Sequence, residues 1–444
     1  MSIKKFIKEE LEAENNSSPV KASRHLVDRA SMDFDTSCHS CICGGCSCLC
    51  DDISYFLKNG KILRTLNLCE VAMKRLHTVI DTGQLPASAK PELDENIKKA
   101  SKILKDNSPC LILGADGMGE AVIESSYNLA EKTGGLLLPW MYPHIHRFYS
   151  IALRLQWASA LLDEVRDQAD MVIMWRCDPL DTHHRHLSRY SLFARGRHTE
   201  RGHSDRNFTA VASAKPFIER LCQQYFEMDN EKDVQFLLAL MNPPQAEAPK
   251  HRDFSLLANA VTRCAYIAIF ADPAKMTDPG LETMFDLCSA VNNESKKRMI
   301  IMPLWSAGAN TAGFIQYCLE AGGLPWGADF TNDKLSENTP ASWEEIASKI
   351  NSVLMIESGP NGGHRQKIPN ALSEKPKVII TPFKQRPETS ADIVIPAALP
   401  GIEISDIFFR ADGLPLTAQK LPGISPAEYP SAESILNKLL SGVM

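Results

Sequence analysis

Seven of the thirteen cysteines in this 444-residue chain fall between Cys38 and Cys69. Within that stretch lies Cys43-x2-Cys46-x3-Cys50, and Cys69 follows after 18 residues. Three thiolates on a tight loop, with a fourth returning from a following hairpin, can reach the four corners of a cubane iron–sulfur cluster. Gly44 and Gly45 let the backbone turn sharply and aim its N–H groups at sulfide. A four-cysteine zinc site uses the same residue type, and Cys38-x2-Cys41 offers an alternative pair for it. Buried reduced thiols without metal are the third reading. In a long chain whose start lacks an apolar export core, such a cluster points to metal before disulfides. Cys38, Cys41 and Cys48 are surplus to either metal site.

Histidine and arginine concentrate further on. Seven of the twelve histidines lie between His144 and His203. His144-x-His146 could ligate a metal, though surface or interface histidines are the plainer reading. His183, Arg185, His186 and Arg189 follow the apolar run DMVIMW, at the end of a strand where α/β sheets bind ligands. From His183 to Arg206 there are six arginines against one Glu and one Asp. These guanidiniums could fork onto phosphates, meet acids of a partner subunit, or form internal salt bridges. Gly114-Ala115-Asp116-Gly117-Met118-Gly119 invites a nucleotide reading, but its spacing is not the dinucleotide fingerprint, and a tight βα loop is expected. Gly359-Pro360-Asn361-Gly362-Gly363-His364 is a similar loop. Cys177 is the thiol nearest a strand end.

Several kinds of element must hold these residues. Residues 1–36 are polar and form a tail. Residues 37–80 form a small Cys-rich domain in which ISYFL and KILRTL flank an Asn59-Gly60 hairpin turn. A linker follows at 81–95. Nine short apolar runs then recur, at 110–114, 134–139, 170–175, 208–212, 266–271, 298–303, 352–357, 377–382 and 392–397. Runs of this kind, alternating with amphipathic stretches, predict buried parallel strands in βαβ units. Nine strands exceed one ordinary sheet, so two doubly wound α/β domains are expected, at 95–245 and 255–335. The segment 345–444 is expected to return to the first, and 242–253 (NPPQAEAPKHRD) marks the clearest boundary. A net charge of -6 gives no basic balance for nucleic acid, no apolar run is long enough for a membrane span, and a cytoplasmic location is expected.

The segment Cys43-Gly44-Gly45-Cys46-Ser47-Cys48-Leu49-Cys50-Asp51-Asp52-Ile53, with Asn67-Leu68-Cys69, resembles the start of the B subunit of formylmethanofuran dehydrogenase. That family is a shortened relative of the molybdopterin formate dehydrogenases. The likeness continues through Trp175-Arg176-Cys177-Asp178-Pro179, His183-His184-Arg185-His186, Asn310-Thr311-Ala312-Gly313-Phe314 and Arg410-Ala411-Asp412-Gly413. It implies a four-iron cluster on Cys43, Cys46, Cys50 and Cys69, followed by formate dehydrogenase-like domains that cradle a bis-pterin molybdenum or tungsten cofactor.

Two features of that cofactor site are missing. The family's metal-bound Cys follows a Thr-Gly-Gly strand. Here Thr133-Gly134-Gly135 leads into LLLPWMYPHIHRFYS, and no Cys lies between Cys110 and Cys177. The family's Asp-x-Arg-x-Thr-like segment is replaced by Val211-Ala212-Ser213-Ala214-Lys215. Soft thiolate and imidazole favour different metals, so Tyr-Pro-His-Ile-His is no substitute. The sequence therefore looks like the beta subunit of the bacterial formyltransferase/hydrolase complex, a structural partner alongside other subunits that include an amidohydrolase-like one. The alternative is an electron-transferring or catalytic dehydrogenase subunit. An unrelated metal- or redox-sensing protein is a third class.

Overall fold

The computed structural model describes residues 34–80, 89–155, 157–241, 252–294, 296–305, 308–332, 334–336, 340, 342–357, 368–383 and 390–443. The tail, most of the linker, the segment 242–251 and the loop from Gly359 to His364 lie wholly or largely outside the described residues.

The small N-terminal sheet is antiparallel, in the order β1 (Thr36–Cys41), β2 (Ile53–Lys58) and β3 (Lys61–Leu66). Asn59 and Gly60 both have positive φ, the backbone a tight two-residue hairpin needs. Two larger sheets form the body. One contains β4 (Cys110–Leu113), β5 (Leu136–Leu138), β11 (Ala328–Asp329), β12 (Ser352–Ile356), β13 (Lys377–Thr381) and β14 (Ile393–Pro396), in the order β11-β5-β4-β12-β13-β14. The other contains β6 (Met171–Trp175), β7 (Asn207–Ala212), β8 (Gln224–Glu227), β9 (Tyr266–Ala271) and β10 (Arg298–Pro303), in the order β10-β9-β6-β7-β8. Every pair is parallel except the short β11–β5 contact. All nine apolar runs become strands. β4, β5, β6, β9, β12 and β13 are buried at every position, because helices cover both faces of a parallel sheet.

The sheets do not divide where the sequence put the domain boundary. β7 and β8, expected in the first α/β domain, share a sheet with β9 and β10, expected in the second. The chain changes sheets between β5 and β6, where the helices Tyr142–Leu155 and Leu162–Gln168 intervene. The strands on either side of the segment 242–253, β8 and β9, belong to the same five-stranded sheet, so the chain does not change sheets there. A Pro- and Ala-rich composition in sequence does not by itself separate two cores. β12–β14 add to the sheet begun by β4 and β5.

Each large sheet reverses its winding once, between β4 and β12 in one and between β6 and β9 in the other. The carboxyl ends of strands at such reversals are where open α/β sheets take ligands. A last hairpin, β15 (Asp406–Phe409) with β16 (Pro415–Ala418), turns at Asp412-Gly413.

Candidate metal centre

The cysteine loop is organised by its own backbone. The Cys43 N–H donates to the Cys50 carbonyl at 2.8 Å, and the Leu49 N–H to the Cys46 carbonyl at 3.2 Å. Leu49 takes a positive φ to close the turn. Cys69 stands just before the helix Glu70–Ile80, and its sulfur accepts from the Val71 and Ala72 N–H groups. The Gly45 N–H serves Cys43, and the Cys48 N–H serves Cys46. Amide donors aimed at sulfur are what a thiolate-held cluster needs.

Electrostatics agree with that donor set. Burial, then the Cys46 and Cys69 sulfurs, push the Cys43 thiol up to about 12. Burial also raises Cys50 and Cys69. Cys46 is held below its ordinary range because the Cys48 thiol hydrogen-bonds to it. Three guanidiniums work the other way: Arg75 beside Cys43, Arg185 and Arg189 beside Cys50. Protonated thiols give those cations no counter-charge. Metal binding would release the thiol protons and supply negative charge among the guanidiniums. By chemistry, Cys43, Cys46, Cys50 and Cys69 fit a thiolate-bound cluster. Among the described residues no three His, Cys, Asp or Glu side chains gather closely enough to hold a single metal ion. A cubane instead asks each thiolate for its own iron.

Three of the four cofactor candidates, His183, Arg185 and Arg189, contact this loop or the two aspartates that follow it, and His186 is buried behind them. Arg185 forks onto Asp52 at 2.5 and 2.7 Å. Arg189 reaches Asp51, and Asp52 at 3.1 Å. Burial alone would raise Asp52, but the Arg185 hydrogen bond and the charges of Arg189 and Arg185 outweigh it and hold the carboxylate low. His183 exchanges hydrogen bonds with Ser47 Oγ at 3.1 Å and Thr182 Oγ1 at 2.8 Å. His186 Nδ1 meets Ser191 Oγ at 3.0 Å, and its ring stands edge-on to Phe270 with centroids 4.4 Å apart. Burial pushes His183 down to about 4 and His186 to about 3, so both are neutral near pH 7. Arg185, Arg189 and His183 thus join the cysteine loop to the five-stranded sheet. The end of β6 at that sheet's reversal is covered by the chain's own loop.

Two further contacts lock the junction, and sequence reading missed both. Tyr190 donates to the Cys48 carbonyl at 3.0 Å, and the Ala411 N–H to the Ser47 carbonyl at 2.9 Å. Arg410 bonds Asp412 at 2.9 and 2.7 Å and Asp163 at 2.5 Å, and lies over the Tyr190 ring.

The six-stranded sheet's reversal is finished differently. Asp116 accepts from the Trp140 N–H, the Gly308 N–H and Thr311 Oγ1, each at 3.1 Å. Asn310 donates to the Met118 carbonyl at 2.8 Å and accepts from the Phe409 N–H at 2.6 Å. The helix Glu120–Lys132 starts at Gly119, where an added Cβ would fall 1.8 Å from Asp406 Cγ. A carboxylate of the chain therefore occupies the place an anion would take at that N-terminus. The Gly114–Gly119 segment is a tight βα loop closed by internal partners.

The remaining candidates are structural. Arg176 spends its guanidinium on Asp233 at 2.7 Å, Ser213 at 2.7 Å and the Asp229 carbonyl at 2.9 Å, with Met228 also in reach. Arg206 donates to the carbonyls of Ala169 and Leu192 at 3.1 and 3.0 Å, among others. Cys177 donates to the Phe270 carbonyl at 3.2 Å. His146 packs edge-on to Trp326 at 4.6 Å and beside Tyr142.

No family model matches the chain. It is 24% identical over 417 residues to the B subunit of tungsten-containing formylmethanofuran dehydrogenase 2 of Methanocaldococcus jannaschii, covering 87% of this chain and 94% of that protein. The protein of the same name from Methanococcus maripaludis is 22% identical over 412 residues, covering 86% and 93%. Among solved structures, a chain of the formyltransferase/hydrolase complex (FhcABCD) from Methylorubrum extorquens, in complex with methylofuran, superposes with a TM-score of 0.64. That match covers 79% of this chain and 96% of that one, at 18% identity. Over nearly the whole length of both relatives, the chain is thus similar to formylmethanofuran dehydrogenase B subunits.

Proposed function

We propose that the chain is a non-catalytic structural subunit of a formyltransferase/hydrolase complex in tetrahydromethanopterin-linked one-carbon metabolism. Its partners are the other subunits, an amidohydrolase-like one among them, and it works in the cytoplasm. It carries a four-iron cluster on Cys43, Cys46, Cys50 and Cys69, with zinc as the competing occupant. The observation that carries this reading is the segment after β5. Where the family's metal-binding Cys belongs, Tyr142–Leu155 is a helix whose Tyr142, Ile145, Phe148 and Ile151 are buried in the core. The residues present do not fit a pterin-held molybdenum or tungsten ion. The thiol is missing, Asp406 sits at the Gly119 helix start, and Arg176, Arg185, Arg189 and Arg206 are engaged with protein acceptors.

No helix among the described residues is long and apolar enough to cross a membrane. The retained cysteines favour the second reading, an electron-transferring subunit of a molybdenum or tungsten dehydrogenase. Metal analysis and a visible spectrum of anaerobically purified protein separate the two. Iron near four per chain with broad brown absorption, and neither molybdenum nor tungsten, is expected. Stoichiometric molybdenum or tungsten with formate-dependent viologen reduction would overturn the structural reading. Zinc alone would remove the cluster and leave the scaffold. Isolation from the native source should bring an amidohydrolase-like subunit with it, and recovery as a lone monomer counts against the assembly.

A further inference from the structure

The surplus thiols separate into two sets. Cys48 belongs to the loop, where its thiol hydrogen-bonds to Cys46. Cys38 and Cys41 stand apart on β1, where the strand register is interrupted. Cys38 pairs with Tyr55 and Cys41 with Ile53, so three residue steps on β1 oppose two on β2. That is a β-bulge. Ser40 supplies it, with a positive φ of 54° that a serine rarely adopts. In a regular strand, residues three apart point to opposite faces. The bulge removes that difference and sets both cysteines opposite Tyr55 and Ile53, which are buried on one face of β2. Cys41 packs against the same buried cluster that contains Cys38.

We propose that Cys38 and Cys41 are a redox dithiol that closes to an intramolecular disulfide, separate from the metal-binding set. The residues they face, Tyr55 and Ile53, are two strand steps apart, about 6.7 Å, at the upper edge of the Cα separations a disulfide bridges. Both sulfurs are free thiols in the structure, each resting on a carbonyl oxygen: Cys38 on Pro422 at 3.7 Å, Cys41 on His39 at 3.8 Å. A tetrahedral metal needs further ligands. The nearby imidazole of His39 is turned away, bonded to Ser54 Oγ at 3.0 Å and edge-on to Phe56. Among the described residues no third ligand joins the two thiols, which favours a sulfur–sulfur bond over a metal.

The reaction is exchange with a low-molecular-weight disulfide. One cysteine attacks and releases one small thiol. The second cysteine then displaces the other, so two protein thiols are oxidised to one disulfide while the small disulfide is reduced to two thiols. Half-exposed Cys41 is the entry point, since Cys38 is 7% exposed. Closure would tether the bulge that leads directly into Cys43, leaving its mark at the start of the metal-binding loop.

The proposal does not rest on the cluster. The full-length protein, purified anaerobically, is equilibrated against reduced and oxidised glutathione, alkylated, and read by fragment-ion mass spectrometry of the peptide from Ala30 to Lys58. Oxidation should remove two alkylatable thiols, at Cys38 and Cys41, and dithiothreitol should restore both. Cys38→Ser and Cys41→Ser should each abolish the paired loss and leave iron content and thermal midpoint unchanged. Full alkylation of both cysteines in oxidised glutathione would overturn the proposal. So would loss of iron in either serine variant, which would make the pair metal ligands. If the wild type holds no iron, the alkylation pattern still decides the dithiol, and only the cluster reading fails.

Discussion

Buried polar groups gather at the reversal point of each large sheet, and the two gatherings are completed in opposite ways. At the six-stranded sheet, Asp116, Asn310 and Asp406 of the same chain close the Gly114–Gly119 region. At the five-stranded sheet the cysteine loop covers the strand ends, and its sulfurs face amide donors and guanidiniums, groups that match thiolate better than thiol. The first arrangement is closed by the chain's own carboxylates. The second is built to receive negative charge on sulfur, and the types of its groups say what would bring it. A burial pattern alone would not separate the two; the chemistry of the facing groups does.

The largest expected effect follows from the second region. Cys43→Ser should lower bound iron from about four per chain to less than one and abolish the visible absorption, because a cubane that loses a thiolate corner is not retained. Cys50→Ser and Cys69→Ser should behave alike, whereas Cys38→Ser and Cys41→Ser should not. Uniform behaviour of all seven cysteines would erase the distinction between ligands and surplus thiols.

Next in size is the lock between the regions. Asp412 and Arg410 are 0% and 4% exposed, and Asp412 also accepts from the Leu162 N–H at 2.6 Å. Asp412→Ala leaves a buried guanidinium with Asp163 alone. Removing one partner of a buried pair costs about 3–5 kcal/mol, which should appear as a lower urea midpoint for the first unfolding transition. A change under about 1 kcal/mol, the range of an exposed pair, would mean that the hairpin β15–β16 contributes little to holding the loop.

Much of this arrangement is legible in the sequence, and the remainder is hidden for identifiable reasons. Parallel strands such as MVIMW and YIAIFA are buried on both faces, so they stand out as unbroken apolar runs. Asn59-Gly60 announces its hairpin. Asp412-Gly413 carries the same type of signal between DIFF and PLTA, but in the sequence it reads first as part of a motif. β1 is Thr-Ser-Cys-His-Ser-Cys; with no apolar alternation and a bulge, nothing in its composition marks a strand. The partition into sheets differs from the expected one because strand runs do not say which sheet they join. The cysteine spacing names the candidate ligands. Their supporting groups cannot be read, since Arg185 meets Asp52 across 133 residues of chain and only folding brings them together. The stretch from His183 to Arg206 makes internal contacts at Arg185, Arg189, Arg201 and Arg206.

The two regions should also respond oppositely to acid. Burial raises Asp406 to about 6, above its unfolded value of about 3.9. The folded state therefore binds that proton more tightly, and the stability it contributes grows as pH falls from about 6 to 4, by at most about 3 kcal/mol. His183 is depressed to about 4 from an unfolded value near 6.5. Its neutral form contributes stability above pH 6.5 that is lost as pH falls through 4, again by about 3 kcal/mol at most. Asp406→Asn should thus be more stable than wild type at pH 7 and lose that advantage by pH 4. His183→Gln should flatten the acid limb instead. Denaturant midpoints between pH 4 and 7.5 measure both, and parallel behaviour of the two variants would break the contrast.

The smallest effect tests whether the sequence-distant hydroxyl at the junction matters. Ser47 Oγ is the partner of His183 Nε2, and the imidazole stays neutral, so one of its nitrogens loses its partner in Ser47→Ala. Leaving a buried polar atom unmet costs about 1–3 kcal/mol. Partial burial of the hydroxyl puts the expected loss near the lower end of that range, about 1 kcal/mol at pH 7. Because the Ser47 carbonyl still accepts from Ala411, the loop should keep its path and as much iron as the wild type holds. A loss of iron in Ser47→Ala would show that the imidazole contact positions the cysteine loop, and the two regions would then differ in kind as well as in completeness.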